Sequence, residues 1–282
     1  MDGSAVETLA RVEASLNYLA PSAEKPFAYT YSPPPPGRPQ RSGVPEAHRV
    51  VIRDGRPLAP TLSLDREGFA FTQNASSATN FYNESEIRSV YYPEVERLVK
   101  AATGANRVAI FDHTLRNAAK PDRDGTAVRE AVLRVHNDYT VKSAPQRVRD
   151  LFPADEAEWL LRHRFAMVNV WRPIRGPVRD TPLALADAQS IDFKDWVPSD
   201  LIYRDRVGET YGVRFNPRHR WFYFPAMQPN EALFIKVYDS DERVARFSAH
   251  SAFVDPTAPA DVAPRESIEV RTFAFFAPPL ET

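Results

Sequence analysis

Apolar positions along this chain change period several times, and each change implies an element. From residue 5 to 19, Val6, Leu9, Val12, Leu16 and Leu19 recur at intervals of mostly three or four, which predicts a short amphipathic helix ending before Pro21. The proline-rich tract SPPPPGRPQ, 32 to 40, lacks most of the N–H groups a sheet ladder needs and favours an extended surface segment. RVVIRDGR, 49 to 56, is a β-branched run closed by the turn signal Asp54-Gly55, and LSLDREGFAFT is a second hairpin-like segment. Between Asn83 and Ala102, Ile87, Val90, Tyr91, Val95, Leu98 and Val99 mark a helix face that Pro93 must kink or restart. RVAIFDH then has the composition of a buried strand.

The second half reads differently. A helix is expected around 153 to 162, followed by a strand in RFAMVNVWRP and then by ETYGVRF, RWFYF, EALFIKVYD, RFSAHSAFV and SIEVRTFAFF, separated by proline, aspartate and glycine. A mainly β core with helical decorations follows, and no repeat of solenoid or propeller length interrupts it. The 282 residues suffice for one large domain. Residues 1–48 are expected to supply the N-terminal helix and the proline-rich surface segment, and 49–282 the domain itself.

Composition narrows the chemistry. Thirty-six basic against 37 acidic residues give no broad electrostatic reason to bind nucleic acid or an anionic membrane, so a small-molecule partner is expected. The absence of cysteine excludes disulfides, thiolate zinc, iron–sulfur clusters and a cysteine nucleophile, but leaves histidine–carboxylate metal sites open. No stretch reaches the length of a membrane span and the first twenty residues lack a secretory pattern, so a cytoplasmic protein is expected. There is no G-x-S-x-G elbow and no glycine-rich phosphate loop.

Candidate ligands do occur. In VHNDYT, His136 and Asp138 stand two apart, so on a strand both project to one side while Asn137 turns away. With six histidines and 19 aspartates in the chain, random placement gives about 0.4 such pairs, so distant partners must decide. His250 and His219 compete for the third position. His250 is followed 15 residues later by Arg265, then by Ser267, a fork and a hydroxyl suited to one carboxylate; no Lys or Arg lies 10 to 16 residues after His219. Arg271 is a rival anchor, because 265, 267, 269 and 271 alternate onto one face. A bland alternative stays open on the residues alone, in which His136 and Asp138 are an ordinary polar pair and Arg265 pairs with a glutamate. Asp112, His113 and Arg116 are candidates for a pocket wall or polar network, and Arg134, Asn169, Arg172, Tyr223 and Lys236 for orienting a polar substrate. Trp171, Trp221, Phe222 and Phe224 read as core aromatics.

FDHTLR, RVHNDYT, APQRVRDL, VNVWRPIRGPV, PLALADAQS, RWFYFPAM, IKVYDS and PRESIEVR, spread from about residue 49 to 276, together give the chain its resemblance to a known family. It resembles the hydroxylase/desaturase family of non-haem iron 2-oxoglutarate-dependent oxygenases, which includes a cephamycin 7-methoxylation component and fungal secondary-metabolism oxidases. The resemblance implies a double-stranded β-helix (jelly-roll, cupin-like) core, with Fe(II) held by His136, Asp138 and His250. It also implies O2 and 2-oxoglutarate as cosubstrates, the distal carboxylate of the latter clamped by Arg265 with Ser267. The expected reaction is hydroxylation, desaturation or oxidative cyclisation of a specialised metabolite or amino-acid derivative. The alternative is a metal-binding accessory protein supporting a partner biosynthetic enzyme, and a homo-oligomer is a further expectation.

Overall fold

The computed structural model describes residues 8–117, 128–129 and 131–278. Strands run in chain order as β1 (Arg11–Leu19), β2 (Phe27–Tyr29), β3 (Pro45–Asp54), β4 (Phe69–Gln73), β5 (Arg107–Asn117), β6 (Val128–Arg129) and β7 (His136–Asn137). They continue as β8 (Phe165–Arg175), β9 (Leu183–Ala186), β10 (Trp196–Ile202), β11 (Val207–Val213), β12 (Trp221–Tyr223), β13 (Glu231–Asp239), β14 (His250–Ala252) and β15 (Glu266–Phe275). One sheet has the order β1-β3-β12-β9-β14-β7-β11-β10-β2, the other β4-β13-β8-β15-β5-β6. From β7 onward the chain passes back and forth between them: β8, β13 and β15 lie in the smaller sheet, and β7, β9 to β12 and β14 in the larger. This winding is the jelly-roll core expected from the sequence.

The start of the chain departs from expectation. In β1 the buried residues are Val12, Ala14, Leu16 and Tyr18, with Arg11, Glu13 and Ser15 exposed between them, a period of two. The expected helix over 5 to 19 is therefore a strand over its central and final part, and Val6 lies outside the described residues. Counting Ala14 and Tyr18 as apolar turns the pattern from helical to alternating, and pairing all nine residues with β3 outweighs the helix propensity of alanine, leucine and glutamate. The proline tract closes a turn, in which Arg38 N–H donates to the Pro35 carbonyl at 3.0 Å and Gly37 takes φ 76°, rather than extending throughout. RVVIRDGR ends in a 3-10 turn at Arg56–Thr61, and β3 and β4 join different sheets, so neither segment forms a local hairpin.

The kink at Pro93 takes a definite form. Asn83 caps the start by accepting from the Ser85 and Glu86 N–H groups, a π turn spans Ile87–Tyr91, and an α-helix, α1 (Tyr92–Thr103), begins with Pro93 in its first turn. Proline is tolerated there because its missing N–H would be unpaired anyway, and the π turn takes up the register change. Ile87, Tyr91, Val95 and Val99 are buried in the same apolar cluster as Val168, Val170, Ile268 and Val270 of the smaller sheet. Each such side chain contributes about 1.5–3 kcal/mol when fully buried. Phe165, Met167, Trp171, Phe273 and Phe275 belong to the main core, together with Leu16, Leu185 and Trp221 of the larger sheet. The strand RVAIFDH runs on to Asn117 and is half-buried rather than buried. The helix expected at 153 to 162 is α3 (Ala154–Leu161), and before it lies α2 (Ser143–Leu151), which periodicity did not reveal because only Ala144 and Val148 are buried.

Candidate metal and cosubstrate site

β7 and β14 are neighbours, and their register sets His136 directly opposite His250. The two imidazoles lie 4.4 Å apart between centroids, and one ligand atom from each of His136, Asp138 and His250 falls within 4.8 Å of the others. His136 Nδ1 is 2.7 Å from the Arg134 carbonyl and His250 Nδ1 is 3.0 Å from the Ser248 carbonyl. A carbonyl can only accept, so each Nδ1 carries the proton and each Nε2 presents a lone pair. Burial, reinforced by the neighbouring His136, lowers the basicity of His250 and keeps it neutral, the form that binds a metal.

Asp138 divides its two oxygens. Oδ1 lies 3.5 Å from His136 Nε2, while Oδ2 accepts from Asn169 Nδ2 at 2.8 Å and from Arg271 Nε at 3.3 Å. Burial opposes ionisation here, but the Arg271 guanidinium holds the carboxyl well below the ordinary carboxylate range. Two imidazoles and one carboxylate, with Nε2 and Oδ1 directed at one point, are the donor set that suits Fe(II) and leaves one face open. The supporting carbonyls, Asn169 and Arg271 fix the orientation of each donor.

Arg265 and Ser267 lie on the smaller sheet, at and beside the start of β15. Arg265 Nη1 donates to the Thr181 carbonyl at 2.7 Å and its guanidinium sits over the Trp171 ring at 5.7 Å, but its buried Nε has no hydrogen-bond partner. The buried Ser267 hydroxyl has none either. Burial, with Arg116 nearby, pushes the Arg265 guanidinium down to about 10, so it stays charged at neutral pH. Unpaired buried donors are costly, and two on one strand end fit a carboxylate. Arg271 differs: its donors meet Asp138, Asp112, Thr114 and Glu269, and these acids raise its pKa against the opposing effect of burial.

The other candidates separate cleanly. His219 Nε2 lies 3.1 Å from Asp195 and its Nδ1 3.3 Å from the Tyr18 hydroxyl, in a network outside the His136 cluster. His113 binds the Tyr92 hydroxyl at 2.8 Å beside α1, and Asp112 supports Arg271. Arg172 is spent on the Asn74 and Pro229 carbonyls and Lys236 on Asp65 and Asp239, so both hold structure together. Tyr223 packs edge-on against Phe253, with burial pushing its hydroxyl up to about 12. Of that group, Asn169 reaches the triad through its side chain and Arg134 through its carbonyl. Sequence reasoning missed the Thr181, Arg134 and Ser248 carbonyls, since a main-chain role leaves no mark on residue type. It placed Trp171 in the core, where it is, without its position beneath Arg265.

Comparisons with known proteins bear on the family and the fold. A family profile described as an oxidoreductase/YMDC permease-like domain matches residues 16–275, although no helix among the described residues is long and apolar enough to cross a membrane. The chain is 31% identical over 271 residues to the Fe(II)/2-oxoglutarate-dependent dioxygenase nvfI of Aspergillus novofumigatus, covering 93% of this chain and 96% of that one. It is 32% identical over 252 residues to the hydroxylase/desaturase efuI of Hormonema carpetanum, covering 80% and 83%. A solved structure of the iron and alpha-ketoglutarate-dependent endoperoxidase NvfI superposes with a TM-score of 0.85 at 29% identity, covering 95% of this chain and 99% of that one. With its jelly-roll core and His–Asp–His cluster, the chain belongs to the Fe(II)/2-oxoglutarate-dependent dioxygenase family that includes the fungal hydroxylase/desaturases.

Proposed function

We propose that the protein oxidises a small organic molecule with Fe(II), 2-oxoglutarate and O2, and that His136, Asp138 and His250 hold the iron while Arg265 and Ser267 hold the distal carboxylate of 2-oxoglutarate. The observation that carries this is the convergence of two Nε2 lone pairs and one anchored carboxylate within 4.8 Å. Bound iron supplies the chemistry that couples decarboxylation of 2-oxoglutarate to succinate with two-electron oxidation of the substrate. The chain supplies orientation. Arg134 and Ser248 hold the imidazole tautomers, Asn169 and Arg271 hold Asp138 ionised, and Trp171 shields the Arg265 charge. All five proposed residues come from this chain. Residues 49–282 form the oxygenase domain in this reading, with β1 and β2 added to its larger sheet. The accessory-protein alternative is disfavoured by relatives that are themselves named as dioxygenases.

The test is anaerobic loading with Fe(II) and 2-oxoglutarate, then oxygen exposure across a panel of small metabolites with mass spectrometry. Succinate should accompany a product that has gained one oxygen in hydroxylation or lost two hydrogens in desaturation or ring closure. Succinate no higher than in a metal-free control, for every substrate and for uncoupled turnover, would refute the reading.

A further inference from the structure

A small cleft borders His136 that the five-residue site does not use. Asn17, Arg134, Ser199 and Thr210 line it with His136, and its volume is about 40 Å³. A water needs roughly 10–15 Å³ of such space, so the cleft admits about three non-hydrogen atoms, the size of a carboxylate group.

Arg134 precedes His136 by two residues, on the same side of an extended chain and about 7 Å away along it. Its carbonyl is engaged by His136, but its half-buried guanidinium has no hydrogen-bond or ion-pair partner among the described residues. A second arginine, Arg41, bridged to Ala28 beside the cleft-lining Pro26 and Gly43, is also without an ion-pair partner among the described residues. The acids of the adjoining strands are taken: Asp200 of β10 and Glu209 of β11 both bind Lys25. A partly desolvated cation without a counter-ion is destabilising unless an anion completes it.

We propose that Arg134, backed by Arg41, binds the carboxylate of the substrate, so that the molecule oxidised is an organic acid anchored beside His136. The oxidation of that acid rests on the oxygenase reading above; its binding does not. Arg265 and Ser267 form a separate anchor on the other sheet, which leaves the Arg134 cleft for the substrate.

The test compares 4-phenylbutyrate with 4-phenylbutyramide as probes of the metal-free, 2-oxoglutarate-free protein at constant ionic strength, reading melting temperature. The acid should raise the melting temperature of the wild type and the amide should not. Arg134→Met should remove that response and, by deleting an uncompensated charge, raise the ligand-free melting temperature by about 2–4 °C. Arg41→Glu supplies an internal counter-ion and should also stabilise the protein while abolishing the acid response. Equal responses to acid and amide, an acid response that survives Arg134→Met, or a fall in the ligand-free melting temperature of both variants would overturn the subsite. Failure of the wild type to bind Fe(II) in a parallel titration would count against the oxygenase reading instead, without touching the acid–amide comparison.

Discussion

Arg265 keeps its charge out of water with one nitrogen unpaired, beside a hydroxyl in the same condition. Arg271, six residues on, is surrounded by acids and contacts Asp138 directly. The two arginines therefore call for different phenotypes. Arg265→Met should raise the KM for 2-oxoglutarate about 10- to 100-fold, the size of a lost charged hydrogen bond, with little change in iron affinity. Ser267→Ala should raise it only about 2- to 10-fold. Arg271→Met should instead weaken iron binding by about 10- to 100-fold, as removal of a ligand's supporting partner does. Steady-state kinetics and iron titration on the three variants check this, and a 2-oxoglutarate KM unchanged in Arg265→Met but raised in Arg271→Met would exchange the two roles.

Among the elements, a partly exposed fork ties the turn after β3 to the start of β13. Arg56, in the 3-10 turn after β3, gives both terminal nitrogens to the Glu231 carboxylate at 2.8 Å each, at the start of β13. Burial works against the Glu231 charge, but Arg56 and the Gln228 N–H lower its pKa below the ordinary 4.5. Because the folded value lies below the unfolded one, this stabilisation is fully present above about pH 4.5 and is lost as pH falls through the folded value. Glu231→Gln should cost roughly 1–2 kcal/mol at neutral pH, at the low end for a charged pair because Arg56 is partly exposed. Urea unfolding should show that difference shrinking below pH 4.5, and a difference independent of pH would mean the loss is one of packing. This link was not legible in the sequence, since nothing local ties residue 56 to residue 231. Local signals served better where they were unambiguous: Pro93 announced a break in its helix, and the long β-rich run after residue 164 was readable from alternation and β-branching. They failed at β1, where Leu16 and Val12 satisfy both periods and only the partner strand decides between them.

At the scale of the molecule, the jelly roll turns a separation of 114 residues into a cross-strand pair, His136 opposite His250. The sequence suggested those two histidines through residue type, spacing and the downstream arginine, and family resemblance extended the suggestion to a cosubstrate. Spacing favoured His250 over His219 and Arg265 over its rival Arg271, while the contacts between sheets were not legible: His219 meets Asp195 and Tyr18, and Arg271 meets Asp138. The Arg134 cleft arises the same way, from β7 meeting β11 and the N-terminal strand. The most direct measurement is an anaerobic Fe(II) titration of the wild type, Asp138→Ala and His219→Ala with 2-oxoglutarate present. One equivalent should bind to the wild type and to His219→Ala and none tightly to Asp138→Ala; stoichiometric binding that survives in Asp138→Ala, or disappears in His219→Ala alone, would contradict the proposed centre.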